Sequence, residues 1–235
     1  MRRYLKPTEA IDCDTQSIKE SAQLLTTELE TAREKAVALF YFVRDEIKHN
    51  PFTPGYLREH FKASAILERR KGYCQHKAIL LVALARASGI PARLGFVDIH
   101  DHRLPDKLIQ IKGGNNLFIF HGYSQLYLDG RWVHASPSYD YQTCRRNRFV
   151  PVDFDGLNDA KDSRYDEDGK LHIEYVRDRG QYEDFPWDEL CKATEEFAAK
   201  MGRDLPELIS MWWGRKPAER QGLASRISDS AFTCE

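Results

Sequence analysis

The stretch Ile79-Leu80-Leu81-Val82-Ala83-Leu84-Ala85 has no polar face to offer water. It follows Cys74-Gln75-His76-Lys77 and runs out at Ser88-Gly89-Ile90-Pro91, where a glycine with a proline two residues on is a helix-stop signal. A helix apolar nearly all round is buried on every side. The fold must therefore place this segment at the centre of its domain, and the rest of the chain must cover it.

The covering elements can be read from periodicity. Thr15 to Leu25 reads as a first helix, and Thr31 to Lys48 as a second, with Ala36, Leu39, Phe40, Val43 and Ile47 at helical spacing. Asn50 to Tyr56 is a loop, and Ala63 to Arg69 a short helix. After Pro91 the period changes to two. Ala92 to Ile99 is a strand, His100 to Gly114 a polar loop, Asn116 to Leu128 a long strand and Arg131 to Ser136 its return. Asp129-Gly130 between the last two suits a type I′ turn, which needs positive φ at both central residues. Residues 141–185 are polar and poorly periodic, with a short strand over Leu171 to Val176 and turns at Asp155-Gly156 and Asp168-Gly169. Trp187 to Lys200 is helical, and an irregular or partly disordered tail is expected from Trp212, with Trp212-Trp213 packing over part of the core or marking a partner surface. Helices followed by antiparallel strands make an α+β domain. Its expected extent is 1–185, with a core of about 30–140 and a C-terminal extension over 186–235.

Charge and cysteine usage exclude several classes. Thirty-five basic and thirty-six acidic residues nearly cancel, so nothing draws the chain to nucleic acid or to a membrane surface. No apolar run approaches a membrane span, and Met1 to Pro7 lacks the apolar core of a signal peptide. Cysteines 13, 74, 144, 191 and 234 are scattered and without CxxC spacing. That argues for a reducing cytoplasm and against a disulfide framework or a cysteine zinc site. No cofactor is called for.

Cys74 is the candidate nucleophile. Gly72 supplies the turn before it, and the unpaired N–H groups at a helix start favour the thiolate. Most free cysteines are inert packing residues. This one instead stands at the polar edge of the central helix, flanked by Gly72, Tyr73, Gln75 and His76. A nucleophilic thiol needs a base, and the hairpin register selects one. With a two-residue turn, Leu128 faces Arg131; Tyr127 then faces Trp132, Gln125 faces His134, Tyr123 faces Ser136 and His121 faces Ser138, and these last four pairs share the more polar face. Phe118, Phe120, Leu126, Leu128, Val133 and Ala135 take the core face. His121 is the candidate base, with Ser136 and Asp140 of the right parity to lie diagonal to it; His134 is an ordinary cross-strand residue. Tyr73, Tyr123 and Tyr139 line a cleft or pack beneath the C-terminal segment. A metal site at His100-Asp101-His102 with His121 and His134 is the weaker alternative. Asp153, Asp155, Asp159 and Asp162 lack EF-hand spacing and read as a solvated turn region.

These stretches together resemble the transglutaminase-like superfamily of papain-type Cys-His-Asp enzymes, in a bacterial-type stand-alone form. The matching residues are Arg70-Lys71-Gly72-Tyr73-Cys74, Ala87-Ser88-Gly89-Ile90-Pro91-Ala92-Arg93, His121-Gly122-Tyr123, and Leu128-Asp129-Gly130-Arg131-Trp132, with Phe40 to Ile47 as the preceding helix. The resemblance implies a central buried helix that starts at the cysteine and packs on an antiparallel sheet. It also implies thiol acyl chemistry on amide or peptide bonds and a peptide or protein substrate. Where the family carries Asp before Pro, this chain has Ser136-Pro137. Ser136 or Asp140 is then expected to orient His121. The alternative is a catalytically weak binding or scaffold module.

Overall fold

The computed structural model describes residues 1–204 together with Glu207 and Met211. The expected tail from Trp212, with Trp212-Trp213 and Cys234, lies outside the described residues. In chain order the elements are α1 (Gln16–Thr26), α2 (Ala32–Glu46), β1 (Lys48–His49), α3 (Ala63–Arg69), β2 (Lys71–Gly72), α4 (Cys74–Ala87), β3 (Ala92–Asp101), α5 (Asp106–Ile111), β4 (Leu117–Leu128), β5 (Arg131–Ala135), α6 (Tyr141–Asn147), β6 (Ile173–Tyr182) and α7 (Trp187–Lys200). The fold is α+β, as read from the sequence.

Every residue of α4 from Ala78 to Ala85 is fully buried. Helices α1, α2 and α3 cover it together with strands β3 and β4. Helix α2 starts at a capping box: Thr31 Oγ1 accepts from the Glu34 N–H at 3.1 Å, and Glu34 Oε2 accepts from the Thr31 N–H at 2.9 Å. The sheet is antiparallel in the order β5-β4-β3-β6. Asp129 and Gly130 both hold positive φ, 48° and 83°, and Leu128 pairs with Arg131, Tyr127 with Trp132 and Gln125 with His134. The Asp-Gly turn sets this register as its sequence requires.

Three local expectations are corrected. His100 to Gly114 is not all loop: β3 continues to Asp101, and α5 lies between Pro105 and Gly113. Pro105 stands at the N-cap of α5 and the glycines follow its end, which are the positions helices allow those residues. Residues 141–147 form α6 with Asp140 as N-cap. The last strand starts later than Leu171 and runs through to Tyr182.

Helix α7 seats on the same core. Trp187 and Cys191 of α7 join the main apolar cluster, while Ala198 packs with Leu108 and Ile111 of α5.

Candidate active site

Cys74 is the first residue of α4. Gly72 is needed before it, because a Cβ there would stand 2.6 Å from the His76 Cβ. Gly122 of β4 is needed for a similar reason: a Cβ would stand 2.9 Å from the Gln75 Cα. The absence of side chains at these two positions lets β2 and β4 close on the first turn of the helix. Gln75 holds the contact, its Nε2 donating to the Phe120 carbonyl at 2.7 Å. Lys77, fully buried on the next turn, donates from Nζ to the Arg44 carbonyl at 2.9 Å, and burial pushes its amine down to about 7.

Strand β4 brings His121 beside Cys74. Burial works against a charge on this ring. The Cys74 charge, together with hydrogen bonds to Asp162 and Cys74, outweighs burial and raises the imidazole to about 10. His121 Nε2 lies 3.1 Å from Asp162 Oδ2, and the two side chains are 5% and 2% exposed. Nδ1 is thus left for the thiol. Burial would raise the Asp162 carboxyl, but its hydrogen bond to His121 holds it below the usual carboxylate range. Ser138 Oγ donates to the same Asp162 oxygen at 3.1 Å and sits 3.5 Å from His121 Nε2. The expected facing of His121 and Ser138 therefore survives, although regular pairing ends at Ser124 and Ala135.

Asp162 is not in a solvated turn; it is 5% exposed. The Ser136 N–H donates to the Ala160 carbonyl at 3.0 Å, and the Ala160 N–H to the His134 carbonyl at 2.9 Å. Ala160 thus bridges Ala135 in parallel fashion, laying residues 159–162 along the outer edge of β5. Pro137, with no N–H, cannot extend the ladder with β4. The sequence marks Asp162 only weakly, by the small apolar Ala160 set among charged neighbours.

Neither residue expected to orient His121 does so. Ser136 Oγ is 2.8 Å from His134 Nε2, and the His134 ring stacks on Tyr123 at 3.9 Å. Asp140 is occupied at both oxygens. Oδ1 accepts from the Thr143 N–H at 3.0 Å; Oδ2 accepts from Thr143 Oγ1 and from the His49 N–H, each at 2.8 Å. Its use as the cap of α6 consumes the carboxylate.

A cleft of about 450 Å³ opens over Cys74 and His121. Tyr73 and Tyr139 line it, as do Phe52, Leu104, Leu108, Phe118 and Leu190; Tyr123 does not. At its edge His49 Nδ1 lies 3.1 Å from the Ser138 carbonyl, so the N–H is at Nδ1. Burial, with the Lys77 cation, lowers the His49 imidazole to about 4 and keeps the ring neutral. The histidines of the metal alternative are spent elsewhere: His100 Nδ1 contacts Asn116 Oδ1 at 2.7 Å, and His102 Nε2 lies 3.4 Å from Glu174. Among the described residues no group of three or more His, Cys, Asp or Glu side chains is placed to hold a metal. No helix among them is long and apolar enough to cross a membrane.

The family model of the transglutaminase-like superfamily matches residues 19–137, just over half of the chain. The chain is also similar to a crystal structure described as a "putative cysteine protease" from Cytophaga hutchinsonii, at 16% identity over 74% of this chain and 54% of that one, with a TM-score of 0.46. A second, a "putative protease" from Parabacteroides distasonis, is 16% identical over 56% of this chain and 26% of that one, with a TM-score of 0.38. The chain therefore spans about half the length of the first and a quarter of the second. No curated protein matches it.

Proposed function

Since the chain belongs to the transglutaminase-like superfamily, we propose that it carries out thiol-dependent acyl chemistry on amide or peptide bonds, with Cys74 as nucleophile, His121 as base and Asp162 as the carboxylate that orients His121. The observation that carries this reading is the buried contact of His121 with Asp162 on one side and Cys74 on the other. The thiol proton moves to His121 Nδ1, and the imidazolium is held by Asp162 through Nε2–H. The Cys74 thiolate adds to the carbonyl carbon, and the oxyanion is met by the Cys74 backbone N–H at the open start of α4. Collapse of the intermediate breaks the C–N bond, and the departing amine takes the proton from His121. The thioester left on Cys74 is then resolved by water or by a second amine.

Ser136 in the family's aspartate position is compatible with this chemistry because Asp162 supplies the charge from another segment. The apolar wall of the cleft suits a peptide or protein acyl donor with bulky side chains beside the scissile carbonyl. A reducing compartment such as the cytoplasm would keep the thiol available.

The test is alkylation with iodoacetamide near neutral pH, read by peptide mass mapping. Among the described thiols Cys13, Cys144 and Cys191 are buried, so Cys74 reacts faster than these, and His121→Ala slows it at least tenfold. Uniform labelling of all thiols, or a rate unaffected by His121→Ala, would sink the proposal. Incubation of an amide substrate with and without a primary amine then separates hydrolysis from transfer.

A further inference from the structure

The residue before His121 has an unusual backbone. Phe120 has φ of +53°, a left-handed conformation rare for a bulky side chain. It belongs to a β-bulge: β3 pairs Val97 with His121 but Ile99 with Phe118, so Asp98 alone stands opposite Ile119 and Phe120. A second bulge lies on the other side of β3. There Phe96 pairs with Gly180 and Val97 with Asp178, so that Arg179 is the extra residue.

The pairing with β6 shifts once more between Asp98 and Ile99, and the bulge in β4 and the one at Arg179 meet at the Asp98 side chain. Its Oδ1 accepts from the Phe120 N–H at 3.1 Å. Arg179 forks onto the same carboxylate, with Nε at 2.8 Å from Oδ1 and Nη2 at 2.7 Å from Oδ2. The guanidinium also lies over the Phe120 ring, 4.6 Å from its centroid. The Phe120 carbonyl is taken by Gln75, the residue that follows Cys74. Phe120 is thus held at its N–H, its ring and its carbonyl.

We propose that Asp98 and Arg179, with Gln75, are positioning residues: they lock the Phe120 bulge and thereby aim His121 at Cys74 and Asp162. A regular strand would carry one residue fewer between Phe118 and His121, and the parity of everything on one side of the bulge would invert. Phe118 shows the effect, since it lines the cleft and not the core face. The clamp joins three separate elements: Gln75 comes from α4, Asp98 from β3 and Arg179 from β6. Asp98 and Arg179 touch neither thiol nor imidazole. They act through the backbone of Phe120. The inference rests on the functional reading above for its catalytic meaning, but the placement of His121 can be measured without it.

The test uses the full chain carrying Asp98→Ala, Asp98→Asn or Arg179→Met. The His121 ring is titrated by NMR, and Cys74 alkylation by iodoacetamide is followed against pH. Cys74 and Asp162 act on this ring and His134 is coupled to it, and none of the three is altered. Asp98→Ala should lower the His121 titration midpoint by a unit or more and slow Cys74 alkylation at pH 7 about tenfold. Asp98→Asn keeps an acceptor for the Phe120 N–H and should recover most of the loss. Arg179→Met should reproduce it in part; its side chain is 17% exposed on an edge strand, so this variant carries the test should Asp98→Ala fail to fold. Folded variants with an unchanged His121 titration overturn the proposal, even where their thermal stability falls. Should His121→Ala leave Cys74 reactivity unchanged, the acyl-chemistry reading fails, while the NMR titration still decides the clamp.

Discussion

Replacing Asp162 by asparagine keeps the shape of the side chain and removes its charge. Two unit charges about 4 Å apart at an effective dielectric of about 20 attract by about 4 kcal/mol, or about 3 pKa units at about 1.4 kcal/mol each. His121 stands at about 10 against an ordinary 6.5. The Cys74 charge is the larger of the influences that raise this ring, so loss of the Asp162 carboxylate should remove part of the shift and leave the midpoint above 6.5. Asparagine can also present N–H to Nε2, which would favour the wrong tautomer. The expected outcome for Asp162→Asn is a His121 midpoint lowered by about a unit or more, weaker thiolate absorbance near 240 nm at pH 7, and acyl transfer reduced by about a hundredfold or more. The NMR titration, ultraviolet pH titration and ester or amide turnover measure these separately. A His121 midpoint within half a unit of wild type would refute the reasoning, because the 3.1 Å contact would then carry no charge interaction.

Other substitutions probe the rest of the arrangement. Ser136→Ala removes the partner of His134 and leaves Asp162 in place, so Cys74 alkylation should stay within about threefold of wild type; a collapse would return the orienting role to Ser136. Asp140→Ala strips the cap of α6 and should cost about 0.5–2 kcal/mol in urea unfolding, without lowering the His121 midpoint. Leu81→Ala, at a fully buried position of α4, should cost about 2–5 kcal/mol by the same assay. Lys77 titrates at about 7 in the fold and near 10.5 unfolded, so between those values the unfolded chain binds the extra proton and stability rises with pH. The stability advantage of Lys77→Met over wild type should therefore shrink across that range by on the order of 1 kcal/mol per pH unit.

What could be read from the sequence was whatever obeyed a local rule. The all-apolar run named the central helix, and Asp129-Gly130 set the hairpin register that singled out His121. These signals depend only on neighbours a few residues away. Asp162 obeys no such rule. It reaches His121 through a single parallel bridge from Ala160 to Ala135, across an interval without periodicity. Asp140 looked suitable by parity, yet parity cannot show that a helix cap and the His49 N–H already use its oxygens. Strict alternation puts Phe118 on the core face, and alternation fails where Phe120 adopts positive φ. A carboxylate within Phe96-Val97-Asp98-Ile99 was the available sign that this strand holds something other than core.

The bridge along β5 has a consequence for how this domain can be cut or grafted. The family span ends at residue 137, so it contains the thiol and the imidazole but not the carboxylate of Asp162. A fragment trimmed to that span would carry an unfinished site. By the same token, the acid comes from a segment that the sheet edge holds by two backbone hydrogen bonds about Ala160 and by Asp159, which accepts from the His134 N–H. A graft of the hairpin alone would leave that carboxylate behind.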